Sequence, residues 1–285
     1  MRPIIKNRSI KSYKNKPLNR IRNPKTPGNE MMKIGYLSYQ CNICGEVCGT
    51  RVDALDREQP SCSNCGSTVR MRSIIHMLSL ELFGRSIPLP DFPHRPDIKG
   101  VGMSDWIGYA RPLSHKLGYT NTFYHKEPKL DITSIDSSLE NTMDFIISSD
   151  VFEHIPPDVS IAFANSHRLL KQSGVMIFTV PYINDVGSKT KEHFPELYQY
   201  EIIKSNTGYI LKNITREGVE QSFDNPVFHD GEGFTLEMRV FSENSLLEEF
   251  HNAGFSGVKI YQEPYFDYGI YWKHNWSLPM AARVI

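Results

Sequence analysis

Four of the five cysteines, all within residues 41–65, have a metal-binding spacing. Cys41-x-x-Cys44 and Cys62-x-x-Cys65 lie 17 residues apart, and a glycine (Gly45, Gly66) follows each pair. Two residues between thiolates let both sulfurs reach one tetrahedral ion, and the glycine relaxes the turn around it. Four sulfur ligands suit zinc in a structural role, because they leave no open position for a substrate. A disulfide framework is the rival reading, and the lack of an apolar secretion leader weighs against it. Cys48 is either a nearby free thiol or a substitute ligand. The second chemical cluster is Asp150-Val-Phe152-Glu153-His154. It combines carboxylates with an imidazole that titrates near neutral pH and can act as a general base.

These residues need elements to hold them. Phe145–Ile147 reads as a buried strand that ends in polar Ser148–Asp150. Val159, Ala162, Phe163, Leu169 and Leu170 recur at helical spacing, Gly174 can stop that helix, and Val175–Val180 reads as a second buried strand. Strand, helix, strand with a polar cluster at the first strand's carboxyl end implies a parallel sheet with a ligand site at that edge. Upstream, Asp97–Met103 leads into Gly100-x-Gly102 and the polar pair Ser104-Asp105, a strand-to-helix turn. Thr120–His125 and Leu130–Thr133 read as two further strands, without room for a helix between them. A helix is expected at 67–83, with Met71, Ile74, Ile75, Leu78 and Leu82 on one face and Gly84 at its end. Arg70 and Arg72 at its start either flank a site or are solvated. Pro88, Pro90, Pro93 and Pro96 mark a stiff connector. Residues 183–241 are long for a connection and carry His193 and His229, so they read as a lid or binding element, or as a solvated excursion. A hairpin is expected at 209–223 with its turn near Gly218. A helix capped by Ser242, then strands at 258–261 and 270–272, complete the chain.

Two stretches carry a family resemblance. They are Met143-Asp-Phe-Ile-Ile-Ser-Ser-Asp150-Val-Phe-Glu153-His154-Ile and Leu169-Leu-Lys-Gln-Ser-Gly174-Val-Met-Ile-Phe-Thr-Val-Pro181. Their wording resembles the fourth and fifth strands of class I S-adenosylmethionine (SAM)-dependent methyltransferases of the ubiquinone and menaquinone methylase branch, the type 11 group. The resemblance covers roughly 97–182 and 242–271 and excludes the cysteine module. It implies that Gly100 and Gly102 let backbone approach the methionine moiety of SAM, with Ser104 and Asp105 as polar contacts. It also implies that Asp131 meets the adenine and that Glu127 is the nearest acid for the ribose. Asp150 and Phe152 would line the cofactor side, with Phe152 and Tyr182 offering aromatic faces to the sulfonium. His154, His193 and His229 are the candidate bases. The segment Ser149-Asp150-Val151-Phe152 lacks the Asn/Asp-Pro-Pro-Tyr/Phe wording of enzymes that methylate exocyclic amines of DNA bases.

The expected fold is α/β, a Rossmann-like mostly parallel sheet with helices on both faces, preceded by a small zinc ribbon. The expected domains are a basic disordered tail at 1–35, ribbon plus helix at 36–85, a Pro-rich connector at 86–96, and a methyltransferase domain at 97–285 with an insertion at 183–241. Balanced net charge hides a tail of about +8 (1–30) on a body of about −8. The acidic body argues mildly against a polyanionic substrate; with that DNA-amine wording absent and no cysteine near the expected site, the expected acceptor is a small molecule or glycan. The alternatives are a zinc-ribbon RNA methyltransferase and a non-catalytic binding module on a degenerate fold. No stretch is long and apolar enough for a membrane span, and a cytoplasmic location is expected.

Overall fold

Continuous apolar runs along the central strands set the architecture in the computed structural model, which describes residues 35–206, 208–229 and 235–285. The first 34 residues, with the basic tail, and Asp230–Phe234 lie outside the described residues. A two-stranded antiparallel ribbon opens the described chain, β1 (Tyr36–Gln40) and β2 (Val47–Arg51), followed by α1 (Val69–Phe83). The main sheet contains β3 (Arg95–Met103), β4 (Leu117–Thr122), β5 (Met143–Ser149) and β6 (Leu170–Thr179), all parallel. Helix α2 (Ile107–Ser114) joins β3 to β4, and α3 (Ser160–Leu169) joins β5 to β6. The strands of the insertion are β7 (Tyr182–Ile183), β8 (Lys191–Glu192), β9 (Gln199–Ser205), β10 (Gly208–Ile214), β11 (Glu220–Asp224), β12 (Phe228–His229), β13 (Thr235–Leu236) and β14 (Arg239–Ser242). Helix α4 (Glu243–Asn252), β15 (Gly257–Ile260) and β16 (Met280–Arg283) end the fold. The sheet order is β15-β16-β6-β5-β3-β4, with β16 antiparallel to both neighbours.

Phe145, Ile147, Val175 and Ile177 face one side of the sheet, where α1 and α2 pack; Ile146, Met176 and Phe178 face the other, against α3 and α4. Period-2 alternation in strands covered on both faces produces this division. The ribbon does not hang from the sheet. Leu37, Tyr39, Ile43 and Leu55 belong to the same hydrophobic cluster as Phe145 and Ile177. The proline-rich connector, expected to be a stiff separator, buries Leu89 and Phe92 in that cluster, with Phe92 edge-on to Phe83.

Several boundaries differ from the sequence reading. Helix α3 stops at Leu169 and β6 begins at once, five residues before Gly174, because Met143 pairs with Leu170 across the sheet. Leu130–Thr133 forms no third strand; a single bridge, Phe123 to Lys129, stands there. The last strand is 280–283 and not 270–272, where Ile270 only closes a turn with Tyr265. The expected hairpin is present as β10–β11, extended by β9 into a three-stranded sheet. With Phe194, Leu197, Leu211, Leu236 and Met238 it forms a small core of its own. The insertion is therefore a folded element rather than a solvated excursion.

Candidate active site

The four paired cysteines converge as their spacing requires. Their sulfurs all lie within 4.8 Å of one another. Cys41 to Cys65 and Cys44 to Cys62 are each 3.7 Å. A tetrahedron with zinc–sulfur bonds near 2.3 Å has edges of about 3.8 Å, which these two sulfur pairs already match. Cys48 lies beside the cluster, its sulfur 3.3 Å from that of Cys62.

The carboxyl edge of the main sheet carries two non-glycine residues in left-handed backbone, Ser104 (φ 59) after β3 and Asp150 (φ 53) after β5. Such strain is retained where surroundings over-determine it, and it concentrates at functional sites. At Asp150 the surroundings come from the ribbon module. Arg57 grips the carboxylate with both amino groups, at 2.9 and 2.7 Å. Arg70 approaches at 3.2 Å, and the Thr179 hydroxyl donates at 3.0 Å. Burial would raise the pKa of this group, but the two guanidinium charges override it and hold the carboxyl's pKa at about 2. Arg57 also donates to the Ser277 carbonyl at 3.1 Å, and so ties β5 to the segment ahead of β16. An open depression of about 450 Å³ adjoins that segment, lined partly by Gln262, Trp272, Lys273, His274 and Leu278. Arg72, by contrast, is fully buried and serves the fold, donating to the carbonyls of Ser67, Tyr268 and Gly269.

Beyond Asp150, the 3-10 turn Phe152–His154 meets the insertion. Arg239, buried, donates to the carbonyls of Phe152 (2.8 Å) and Ile155 (2.6 Å) and pairs with Glu192. This seam brings all three candidate histidines together. His154 and His229 stand perpendicular with ring centroids 4.6 Å apart. Glu237 bridges His229 (2.6 Å) and His193 (2.9 Å) through its two oxygens. Glu153 lies beneath them, fully buried, and neither of its carboxylate oxygens has a hydrogen-bond partner. Burial, with the Asp150 charge added, pushes its pKa well above the carboxylate range. Burial also lowers that of His154, so this imidazole is kept neutral and basic in form.

The expected cofactor contacts divide. A Cβ at Gly100 would overlap the Phe145 ring, and one at Gly102 would overlap Asp105 and the Tyr119 hydroxyl, so internal packing demands both glycines. Asp105 is buried, accepts from Tyr109 (2.8 Å) and Tyr119 (2.5 Å), and has no oxygen turned to the open edge. Phe152 sits wholly in the core between Phe163 and Phe178, and Tyr182 is also buried, so neither ring offers an open face to a sulfonium. The polar groups that remain available at the carboxyl ends of β3 and β4 are Ser104, exposed, and Asp131, half-buried. One Asp131 oxygen accepts from the amide and hydroxyl of Thr133, which fixes its direction. Glu127 is exposed and bonds the Lys129 amide. Sequence reasoning assigned Arg57 and Glu237 no individual role, and Glu153 none beyond its place in the Asp150–His154 cluster. Only the Glu153-His154 adjacency could have signalled one of them.

Residues 93–260 match the model of a family described as "Methyltransferase domain". Among curated proteins nothing matches. Solved structures with a similar chain path include 1,6-didemethyltoxoflavin-N1-methyltransferase of Burkholderia thailandensis, determined with 1,6-didemethyltoxoflavin and S-adenosylhomocysteine bound. It is 17% identical, covers 75% of this chain and 77% of that one, and has a TM-score of 0.40. An S-adenosylmethionine-dependent methyltransferase of Mesorhizobium loti (12%, 77% and 100%, TM-score 0.42) is also similar. So is an amino pentose methyltransferase of Micromonospora echinaspora (10%, 77% and 93%, TM-score 0.42). No helix among the described residues is long and apolar enough to cross a membrane. With more than half its length matched by the family model, the chain belongs to the methyltransferase-domain family and is a SAM-dependent methyltransferase of the class I fold.

Proposed function

We propose that this enzyme methylates a small molecule or a sugar, at oxygen or nitrogen, bound over the carboxyl ends of β5 and β6. The observation that carries the reading is the convergence of His154, His193 and His229 on one polar seam next to the clamped Asp150. Methyl transfer from a sulfonium is an in-line displacement, so the enzyme's main work is to hold the acceptor and donor collinear and close. The Ser104 loop, the α2 amino terminus and Asp131 hold SAM, with Glu127 nearest its ribose. His193 takes the acceptor's proton, its ring set by Glu237 at 2.9 Å. Cys41, Cys44, Cys62 and Cys65 hold a structural zinc ion.

The depression beside Ser277 is of a size for a small ligand. Binding of RNA would need free cations on the ribbon. Arg57 and Arg70 are instead neutralised by Asp150 and Glu58, and Arg51 by Asp53. This favours the small acceptor.

The test is calorimetric titration of SAM and S-adenosylhomocysteine into zinc-loaded protein. Micromolar binding is expected, weakened by roughly 1–3 kcal/mol in Asp131→Ala, the scale of a charge-assisted hydrogen bond. An intact protein that binds neither compound refutes the reading. For the base, His154→Ala, His193→Ala and His229→Ala are compared for transfer of labelled methyl groups to a panel of sugar nucleotides, phenols and amines. Turnover should fall with SAM affinity kept, and three fully active variants would exclude a histidine base.

A further inference from the structure

We infer that Glu153, His154 and His229 form a binding site for a divalent transition-metal cation, separate from the cysteine cluster, at the seam between the sheet edge and the insertion. Their ligand atoms lie within 4.8 Å of one another. Glu153 is fully buried and both of its oxygens are unpartnered. A buried carboxyl without a hydrogen bond is rare in folded proteins, and an ion is among the few things that explain one. Neither imidazole supplies the missing bond, since His154 Nε2 is 3.7 Å and His229 Nδ1 3.8 Å from Glu153 Oε1.

The far side of each ring fixes which nitrogen is free. His154 Nδ1 donates to the Leu236 carbonyl at 2.9 Å, so Nε2 carries the lone pair toward Glu153. His229 Nε2 donates to Glu237 at 2.6 Å, so its Nδ1 does the same. A carbonyl or carboxylate behind a ligating imidazole is the usual support of a metal site, because it sets tautomer and ring direction together. His193 holds Glu237 from behind, and the Met238 amide donates to the Glu153 carbonyl at 2.8 Å. Around a cation with bonds of 2.0–2.2 Å, tetrahedral ligand atoms stand about 3.4 Å apart. The observed 3.7 and 3.8 Å need only small side-chain rotations to close.

Two imidazoles and one carboxylate suit zinc or iron(II), and three protein ligands leave a position open. Resting on the methyl-transfer reading, that position would take an oxygen or nitrogen of the acceptor. The site itself does not depend on that reading. One ligand pair belongs to the sheet-edge turn and the third to β12, so the cation also pins the insertion onto the sheet.

Full-length protein is saturated with zinc, dialysed, and its metal counted by elemental analysis. Two equivalents per chain are expected for the wild type, and one for Glu153→Gln and for His229→Gln. Thermal melting and SAM titration of the same variants report whether they are folded and whether the donor site stands, so loss of the metal is distinguished from failure of the methyltransferase reading. Cobalt loading of the wild type decides the matter without any variant. The thiolate site gives intense sulfur-to-cobalt charge transfer, and a second equivalent should add weak visible bands without it. A wild type that holds one equivalent, all of it thiolate-bound, overturns the proposal. So would two equivalents that persist in both variants.

Discussion

Asp105 illustrates how a residue's chemistry is set by its neighbours. Its carboxyl is enclosed beneath the β3–α2 turn, and burial raises its pKa to about 7 despite hydrogen bonds from two tyrosines. For an acid whose folded value is raised, stability is fully present below the unfolded value near 4 and is lost as pH rises toward 7. The loss approaches about 1.4 kcal/mol per pH unit within that window. Asp105→Asn removes the titration. Urea midpoints at pH 5 and pH 8 should therefore show the variant gaining on the wild type at the higher pH, and an equal difference at both would contradict the burial argument. At Asp150 the sign reverses, since its partners favour the charged form. Arg57→Ala leaves a nearly buried carboxylate with half its support and should cost about 3 kcal/mol in chemical denaturation. A change below about 1 kcal/mol would mean that Arg70 alone satisfies Asp150.

Among the elements, the insertion has the clearest structural role. Its strand β14 sends Arg239 into the protein to bind the carbonyls of Phe152 and Ile155, which gives the turn bearing Glu153 and His154 its shape. Arg239→Met keeps the side-chain volume and removes those donors. Amides at 152–156 should then exchange hydrogen faster, while those of β3 and β5 keep their protection. Uniform protection across both regions would show that the turn holds itself. The small core around Leu211 and Phe194 explains how the insertion can be rigid enough to present His193 and His229.

At the scale of the whole molecule, ribbon and sheet share one hydrophobic cluster, and Arg57 and Arg70 cross between them. Zinc in the cysteine site should then stabilise the entire chain. Chelation is expected to lower the melting temperature of a single transition, followed by calorimetry. Two separate transitions, with only the first sensitive to chelator, would mean that the ribbon unfolds on its own.

Local patterns in the sequence determined a good deal. The Cys-x-x-Cys pairs specified a four-thiolate site because ligand spacing is a short-range property. The unbroken apolar runs Phe145–Ile147 and Val175–Val180 specified a doubly covered parallel sheet, and the Asp150–His154 wording placed the polar edge. Tertiary structure decided what depends on residues distant in the chain. That Asp150 would be held by Arg57 and Arg70 could not be read from either segment, because the contacts span 93 and 80 positions. Gly100, Gly102, Asp105 and Phe152 fit the pattern of a cofactor loop, yet their neighbours Phe145, Tyr119, Tyr109 and Phe163 enclose them. The histidines from 154, 193 and 229 met only when Arg239 and β14 folded the insertion back onto the sheet edge. Ligand spacing and strand period are written in neighbouring residues, whereas burial and ion pairing exist only once distant segments have packed.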